Sequence, residues 1–316
     1  MLNNLFSQLL IGVLFLPTVT LAGDNNNVLA SAPSQKNEQT IIAGHHVKKE
    51  HPVKKLNFQK FPGVTISDTA AVLDVKSGKF LYRQEATKQR AIASLSKLAT
   101  SLVFLEDNPD LQKVISYASS NNRAGATVFL NNGEQLRLND VLMSVLLPSA
   151  NNMAQTLAVN THYSYADFVV QMNNRMQELG LKKTQLVEPT GLNSRNVSCA
   201  GNLAKLGNFL FNKYPDIFLR AAQTPVYDID LLNSVRNVTI YSTNRFDGRG
   251  KYDLLAFKTG FYPGTAERTL VVKIQDKASG GQIIVVLLGN TIYGTINEEA
   301  YQLADWAFNN WEFKNY

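Results

Sequence analysis

The sequence predicts an α+β fold in which an antiparallel sheet is flanked by helices and part of the chain forms an all-helical lobe. Alternation over residues 70–75, a Lys-Ser-Gly-Lys turn and the segment Phe80-Leu-Tyr-Arg83 are typical of a β-hairpin. The middle of the chain carries apolar residues at helical spacing, and strands return at 268–275 and 282–288. We expect both sets of strands to join one sheet, with the helical middle packed against it.

The predicted helices have apolar residues three and four positions apart. They cover residues 94–108, 138–147, 152–159, 165–179, 198–214 and 297–311. Pro148 ends the second helix, and Gly180 stops the fourth. Ser198 is the predicted N-cap of the fifth. A strand over residues 254–258 leads directly into Thr259 and Gly260.

The N-terminus predicts an export signal. An apolar run from Leu9 to Leu16 ends at Pro17, and small residues at Thr20 and Ala22 suit cleavage after Ala22. The run is too short to span a bilayer, and a buried N-terminal helix is the alternative. We therefore expect residues 1–22 to be removed and the protein to act in the periplasm or another extracytoplasmic space, without a transmembrane anchor.

Residues 23–62 read as a polar, basic linker, and residues 63–316 as the folded domain. Between residues 23 and 60, six lysines against three acidic residues give half of the chain's net charge of +6. Such a tether can attract an anionic wall polymer or membrane surface, and metal capture by its histidines is the weaker alternative. No nucleic-acid-reading motif accompanies it. Cys199 is the only cysteine, so no intramolecular disulfide can form.

Three short motifs with hydroxyl, amine and amide groups stand in order along the chain: Ser94-Leu-Ser-Lys97, Ser149-Ala-Asn151 and Lys258-Thr-Gly260. Together they predict serine acyl transfer with lysine as the base. A Ser-His-Asp site needs an imidazole. Three of the four histidines lie in the N-terminal polar stretch, and His162 reads as an ordinary loop residue. No zinc or phosphate-loop signature is present, so we expect neither a metal nor a cofactor.

Each motif is weak alone, and the Ser-x-Asn pattern also occurs at other serines, among them Ser119, Ser120 and Ser194. The positions of the motifs select them. Ser94 and Lys97 fall three residues apart at a helix start, where their side chains can touch. Ser149 falls between two apolar helices, and Lys258 ends an apolar strand. This arrangement predicts one cleft lined by all three motifs.

The ordered motifs resemble those of the low-molecular-mass penicillin-binding proteins, which are serine D-alanyl-D-alanine carboxypeptidases and endopeptidases of peptidoglycan. The similarity covers residues 65–312, including the neighbouring segments 93–98, 147–151, 187–192 and 196–198. It implies the fold shared by the β-lactamases and DD-peptidases. It also implies that peptidoglycan stem peptides are the substrates and that β-lactam antibiotics are covalent inhibitors.

The resemblance further implies the roles of the motif residues. Ser94 would be the nucleophile that forms the acyl-enzyme, and Lys97 would take its proton. Ser149 would relay that proton to the leaving amine. Asn151 would hold the substrate amide and orient Lys97. A neutral Lys97 would be favoured by the positive end of its helix and by the second cation, Lys258.

The third motif would bind the substrate. By the same resemblance, Lys258 and Thr259 would hold the terminal carboxylate, next to Gly260. The backbone N–H groups of Ser94 and Phe261 would form the oxyanion hole.

Four functions fit these motifs. Carboxypeptidases of the family often append a β-rich domain and a membrane anchor, whereas only five residues follow Trp311. We therefore expect an endopeptidase that cuts crosslinks, with a carboxypeptidase as the first alternative. A class A β-lactamase shares the fold, and Glu188–Asn193 is similar to its deacylating loop with one residue more. A non-catalytic wall-binding scaffold is the last alternative.

Two positions depart from the family pattern. Glu267 follows Ala266 where the family usually has Ala-Gly, and it would either alter substrate preference or face solvent. Ser242-Thr-Asn244 stands where the family has Asn-x-Asn. Both departures concern fine specificity rather than acylation.

Overall fold

The computed structural model describes residues 51–313; the predicted signal peptide and residues 23–50 of the predicted linker lie outside this range. The α-helices of the described range are α1 (Ser96–Glu106), α2 (Leu138–Leu146), α3 (Asn151–Val159), α4 (Tyr165–Glu178), α5 (Ala200–Lys213), α6 (Pro215–Gln223) and α7 (Thr295–Asn310). Its strands are β1 (Val53–Lys54), β2 (Thr69–Asp74), β3 (Phe80–Gln84), β4 (Arg90–Ala91), β5 (Val114–Ser116), β6 (Gln135–Arg137), β7 (Val197–Ser198), β8 (Val226–Ile229), β9 (Val238–Tyr241), β10 (Tyr252–Tyr262), β11 (Glu267–Asp276), β12 (Gln282–Asn290) and β13 (Trp311–Glu312). None of the helices within residues 51–313 has the length and apolar character needed to cross a bilayer.

One antiparallel sheet joins the two ends of the domain, as the sequence predicted. Its strand order is β10-β11-β12-β2-β3, and Val285 of β12 pairs with Val72 of β2. Every residue of β2 is buried. Both faces of the sheet centre are therefore covered, and α5 and α7 are the helices packed against it. β10 lies at an edge of the sheet, where it also contacts α6, and its residues Thr259, Gly260 and Phe261 line a cleft.

The helical lobe packs around α1. This helix contacts α2, α3, α4 and α5, and its residues from Ser96 to Leu105 are all buried. A 3₁₀ turn at Ala93–Leu95 precedes α1 and contacts β10 and β11. The start of α1 is thus held where the lobe meets the edge of the sheet.

Several element boundaries differ from the predictions. The first helix begins as a 3₁₀ turn, and its α-helical part starts only at Ser96. Cys199, not Ser198, is the N-cap residue of α5. Ser198 instead pairs with Arg90 in a short ladder, and its hydroxyl bonds to Thr184. α6 was not predicted, although Pro215 in its first turn favours a helix start.

The predicted linker also differs from the structure at its C-terminal end. β1 pairs with β13, and the Phe58 and Phe61 rings pack against Trp306 at centroid distances of 6.0 and 5.7 Å. Because these aromatic residues bury apolar surface against α7, residues 53–61 are part of the packed structure rather than a solvated tether.

Glu299 of α7 connects three parts of the domain. Its carboxylate is buried and accepts hydrogen bonds from the backbone N–H groups of Thr65, Ile66 and Ser67. The Nδ2 of Asn290, at the end of β12, donates to the same carboxylate at 3.0 Å. A charged acceptor therefore holds the chain entering β2 against the helix that follows β12.

Replacing Glu299 by glutamine should destabilise the domain. An amide has one acceptor oxygen, so at least one buried N–H group loses its partner, at a cost of about 1 to 3 kcal/mol in the free energy of unfolding. Denaturant unfolding measures this loss. Glu298→Gln is the matched control, because that side chain is 53% exposed and its ion pair with Arg249 lies at the surface. Equal stability of the two variants would contradict the assignment.

Candidate active site

Ser94 lies in the 3₁₀ turn before α1 and lines a cleft of about 610 Å³ between the lobe and the edge of the sheet. Its neighbour Ala93 has a φ of +47°, a left-handed conformation that is unusual for a residue with a Cβ. Such strain persists only where the surroundings enforce it, and it is common at functional sites. The turn presents a partly exposed Ser94 hydroxyl to the cleft.

Lys97 follows in the first turn of α1 and is completely buried. Its Nζ lies 2.9 Å from Ser94 Oγ and 2.7 Å from Asn151 Oδ1, and it also contacts the Thr190 carbonyl oxygen. The last two atoms can only accept hydrogen bonds. A neutral amine has two N–H groups and one lone pair. When both N–H groups bind those two oxygens, the lone pair is left for the Ser94 hydroxyl.

Burial lowers the pKa of Lys97 to about 7, because the ammonium form loses its hydration. The Glu188 carboxylate acts in the opposite direction and raises this pKa. A substantial fraction of Lys97 is therefore neutral near pH 7. Desolvation, which was not among the causes expected from the sequence, is the dominant cause of the shift.

Ser149 lies between α2 and α3, and Asn151 is the first residue of α3. Ser149 is buried with a φ of +63°, and its Oγ accepts a hydrogen bond of 2.7 Å from Lys258 Nζ. The Nδ2 of Asn151 donates to the Ala124 carbonyl at 2.6 Å. Because that bond engages the amide nitrogen, the amide oxygen of Asn151 must face Lys97.

Lys258 is buried on β10, and burial is the main reason that its pKa lies well below the usual value for lysine. The charge of Lys97 lowers it further. Its Nζ donates to Ser149 and, at 2.9 Å, to the Thr259 carbonyl. The two lysines thus belong to one electrostatic unit, in which a charge on one disfavours a charge on the other.

The next residues of β10 approach Ser94 closely. A Cβ at Gly260 would lie 2.4 Å from Thr269 Oγ1 and 3.1 Å from the Ser94 nitrogen, so only glycine lets the strand pass here. Phe261 follows on the cleft wall and is 49% exposed. The Thr259 hydroxyl lies 2.6 Å from that of Thr243, which also contacts the Leu147 carbonyl.

A loop at residues 188–193 supplies the third contact of Lys97. Glu188 holds this loop, since its Oε2 accepts from the Thr190 N–H and its Oε1 accepts from the Gly191 N–H, both at 2.7 Å. Asn193 and Asn196 also donate to Oε1. Both carboxylate oxygens of Glu188 are thus engaged in fixing the loop, and through it the carbonyl that binds Lys97.

This buried lysine beside a cleft serine has a counterpart in known sequences. The family profile described as D-alanyl-D-alanine carboxypeptidase, peptidase S11, matches residues 58–291. The chain belongs to this family.

Relatives with established names lie within the D-alanyl-D-alanine peptidases. The chain is 31% identical over 222 residues to a D-alanyl-D-alanine endopeptidase of Pseudomonas aeruginosa, covering 70% of this chain and 71% of that protein. A D-alanyl-D-alanine endopeptidase of Escherichia coli is 29% identical, with 62% and 63% covered. A D-alanyl-D-alanine carboxypeptidase of Bacillus subtilis is 26% identical, with 77% and 62% covered. The chain therefore spans less than two thirds of the latter two proteins.

Solved structures share the fold. The Streptomyces K15 DD-transpeptidase superimposes with a TM-score of 0.72 at 20% identity, covering 79% of this chain and 100% of that one. A D-alanyl-D-alanine carboxypeptidase from Mycobacterium tuberculosis gives 0.69 at 22% identity, covering 81% and 96%. These likenesses confirm the predicted DD-peptidase-like α+β architecture.

Within this D-alanyl-D-alanine carboxypeptidase family fold, the residues of the three motifs meet at one cleft, with Lys97 and Lys258 buried behind its wall. Glu267 does not line the cleft: its carboxylate pairs with Arg90 at 2.6 Å, and its side chain is 20% exposed.

The contact between Thr190 and Lys97 was not predicted from the sequence. That contact is made by a backbone carbonyl, so no side-chain motif marks it; the segment containing Thr190 was noticed only through the resemblance. Arg245 and Arg268 also line the cleft and were not among the residues predicted for the site.

Gly191 should be essential for the geometry of Ser94. It has a φ of +88°, and a Cβ there would lie 2.1 Å from the Ala93 carbonyl oxygen. Gly191→Ala should therefore displace the turn that carries Ser94 and lower kcat/KM for a D-alanyl-D-alanine peptide by about a hundredfold.

Gly133→Ala is the matched control. Gly133 has a similar φ of +86°, but nothing lies within 4 Å of a Cβ placed there. It carries the same backbone penalty without the collision, so kcat/KM should stay near the wild-type value. Normal activity of Gly191→Ala would show that the contact does not position Ser94.

Proposed function

We propose that this chain is an exported peptidoglycan DD-peptidase that forms an acyl-enzyme on Ser94 and cleaves D-alanyl crosslinks in preference to terminal D-alanine. The observation that carries the proposal is the contact between Ser94 Oγ and Lys97 Nζ at 2.9 Å. Two fixed acceptors hold the other side of this amine, so its lone pair is available only toward the nucleophile. That is the arrangement needed to activate a serine without histidine.

In the proposed acylation, the Ser94 proton passes to Lys97 as Oγ attacks the carbonyl carbon of the scissile D-alanine. The carbonyl oxygen becomes an oxyanion, which the backbone N–H groups of Ser94 and Phe261 receive. One such donor typically stabilises the transition state by about 3 kcal/mol. Gly260 lies close to the Ser94 nitrogen, so β10 runs beside the turn that carries Ser94. This proximity supports an oxyanion hole with one N–H donor from the turn and one from the strand.

The leaving group then needs a proton and a place for its carboxylate. Lys258 and Thr259 supply the carboxylate site. Ser149 passes the proton from Lys97 to the leaving amine, and its hydrogen bond from Lys258 supports this role by orienting the hydroxyl. Water hydrolyses the acyl-enzyme in the second half of the reaction.

The hydrogen bonds that Glu188 accepts within its own loop favour a peptidase over a class A β-lactamase. A deacylating glutamate must accept a proton from water. Both oxygens of Glu188 already accept hydrogen bonds from its own loop, including 2.5 Å from the Thr190 hydroxyl. A peptidase that releases β-lactams slowly fits this arrangement, and penicillin should inhibit it covalently.

The endopeptidase preference is supported by the names of the relatives in Pseudomonas aeruginosa and Escherichia coli. The carboxypeptidase alternative is supported by the Bacillus subtilis relative. In either case the acyl donor is the same, and only the leaving group differs.

Acylation should follow the neutral form of Lys97. Since burial places the pKa of Lys97 at about 7, the second-order rate of acylation by a fluorescent penicillin should rise with pH and level off above that value. Below the pKa the rate should fall about tenfold per pH unit. A rate independent of pH across this range would argue against Lys97 as the base.

Removing the charge of Glu188 should move this profile. Its carboxylate raises the pKa of Lys97, so in Glu188→Gln the midpoint should shift to lower pH. Glu178→Gln is the control, because Glu178 is exposed and pairs with Arg175. A shift to higher pH in Glu188→Gln would contradict the sign of the interaction.

Digestion of purified muropeptides tests the reaction itself. Given crosslinked dimer and pentapeptide monomer side by side, the enzyme should show the higher kcat/KM on the dimer. Ser94→Ala should process neither, with a loss of at least about a thousandfold. If the enzyme released D-alanine from the monomer and left the dimer intact, it would be a carboxypeptidase. If the Ser94→Ala variant still cleaved either substrate, Ser94 would be excluded as the nucleophile.

A further inference from the structure

The cleft contains a cation for which the proposed reaction has no use. Arg268, at the start of β11, lines the cleft and donates one hydrogen bond, of 3.0 Å, to the Ala266 carbonyl. No carboxylate among residues 51–313 forms an ion pair with it, and no aspartate or glutamate lines the cleft. A guanidinium has five N–H donors. Most of its hydrogen-bonding capacity is therefore available to a ligand.

Two aromatic rings hold this guanidinium in place. Its central carbon lies 5.0 Å from the centroid of the Phe261 ring and 5.1 Å from that of Tyr293. Both rings are unusually exposed, at 49% for Phe261 and 86% for Tyr293. Exposed tyrosine and arginine side chains that are already oriented are typical of binding sites, because little conformational entropy is lost when a partner arrives.

The direction of the substrate along β10 places these side chains on the acyl-donor side. The leaving carboxylate binds at Lys258 and Thr259, and the scissile carbonyl oxygen binds at the Phe261 N–H. The donor peptide therefore continues beyond Phe261, away from Lys258. Arg268 is the register partner of Phe261 in the neighbouring strand.

We infer that Phe261, Arg268 and Tyr293 form a binding site for a free carboxylate on the residue that precedes the scissile D-alanine. We refer to these three residues as the acyl-side clamp. The inference rests on the proposed function, which sets the direction of the peptide. It goes further because it names a charged group of the acyl-donor peptide that determines specificity. Guanidinium and carboxylate form paired, charge-assisted hydrogen bonds, and the two rings keep the guanidinium plane in position.

Two synthetic peptides ending in D-alanyl-D-alanine test the clamp. They differ only in whether the preceding residue carries a side-chain carboxylate or the corresponding carboxamide. Wild-type enzyme should prefer the carboxylate peptide by about tenfold in kcat/KM. In Arg268→Gln this ratio should fall to about one, and Arg268→Lys should give an intermediate ratio because it keeps the charge without the planar fork.

Two further variants support the interpretation. Tyr293→Ala removes one exposed ring and should lower the ratio partway. Arg83→Gln is the matched control, because Arg83 stacks on Phe80 at 5.0 Å but does not line the cleft. It should keep the wild-type ratio. Acylation by fluorescent penicillin reports in each variant whether Ser94 still reacts.

Three outcomes would overturn the clamp. A wild-type ratio near one does so, as does a ratio that survives Arg268→Gln. An equal loss on both peptides would assign Arg268 to the terminal carboxylate instead. In these cases the wild-type enzyme still cleaves peptide, so the proposed function stands. Failure of the wild-type enzyme to react with either peptide or with penicillin would remove the proposed function and the clamp together.

Discussion

The complete burial of Lys97 is the constraint on which the rest of the site depends. An ammonium group without water costs several kcal/mol unless paired, so burial lowers the pKa of Lys97 to about 7. The lobe achieves this burial by wrapping α1, whose residues up to Leu105 are inaccessible to solvent. A helix buried on all sides is thus the structural reason for an amine that can accept a proton near neutral pH.

Burial alone would leave the direction of the lone pair undetermined. The Asn151 amide and the Thr190 carbonyl determine it, because each takes one N–H group of the neutral amine. Each acceptor has its own support: the Ala124 carbonyl holds the Asn151 amide, and Glu188 holds the loop of Thr190. The orientation of Lys97 therefore depends on loops far apart in sequence. Their packing transmits any disturbance to Ser94.

The parts of this site that follow from sequence are those set by local geometry. Ser94 and Lys97 are three residues apart on a helix, so their contact follows from helical spacing. Alternating and apolar patterns predicted the strands of the sheet. As expected, the N-terminal hairpin and the C-terminal strands belong to one antiparallel sheet. The Thr190 contact could not be predicted, because a carbonyl oxygen carries no residue signature. The packing of residues 53–61 was missed because their lysines outweighed Phe58 and Phe61 in composition.

The hydrogen bonds that Glu188 accepts also limit which base can activate water to hydrolyse the acyl-enzyme in the proposed reaction. A carboxylate that accepts hydrogen bonds from Thr190, Gly191 and two asparagines has no oxygen left for water. Water must therefore be activated by another base. Once Lys97 has returned its proton through Ser149 to the leaving amine, it again has a lone pair beside the ester oxygen of Ser94. The acceptors that oriented it for attack are unchanged, so the same amine is placed to deprotonate the incoming water. One buried lysine can thus serve both halves of the reaction, and its hydrogen-bond partners set the geometry of each.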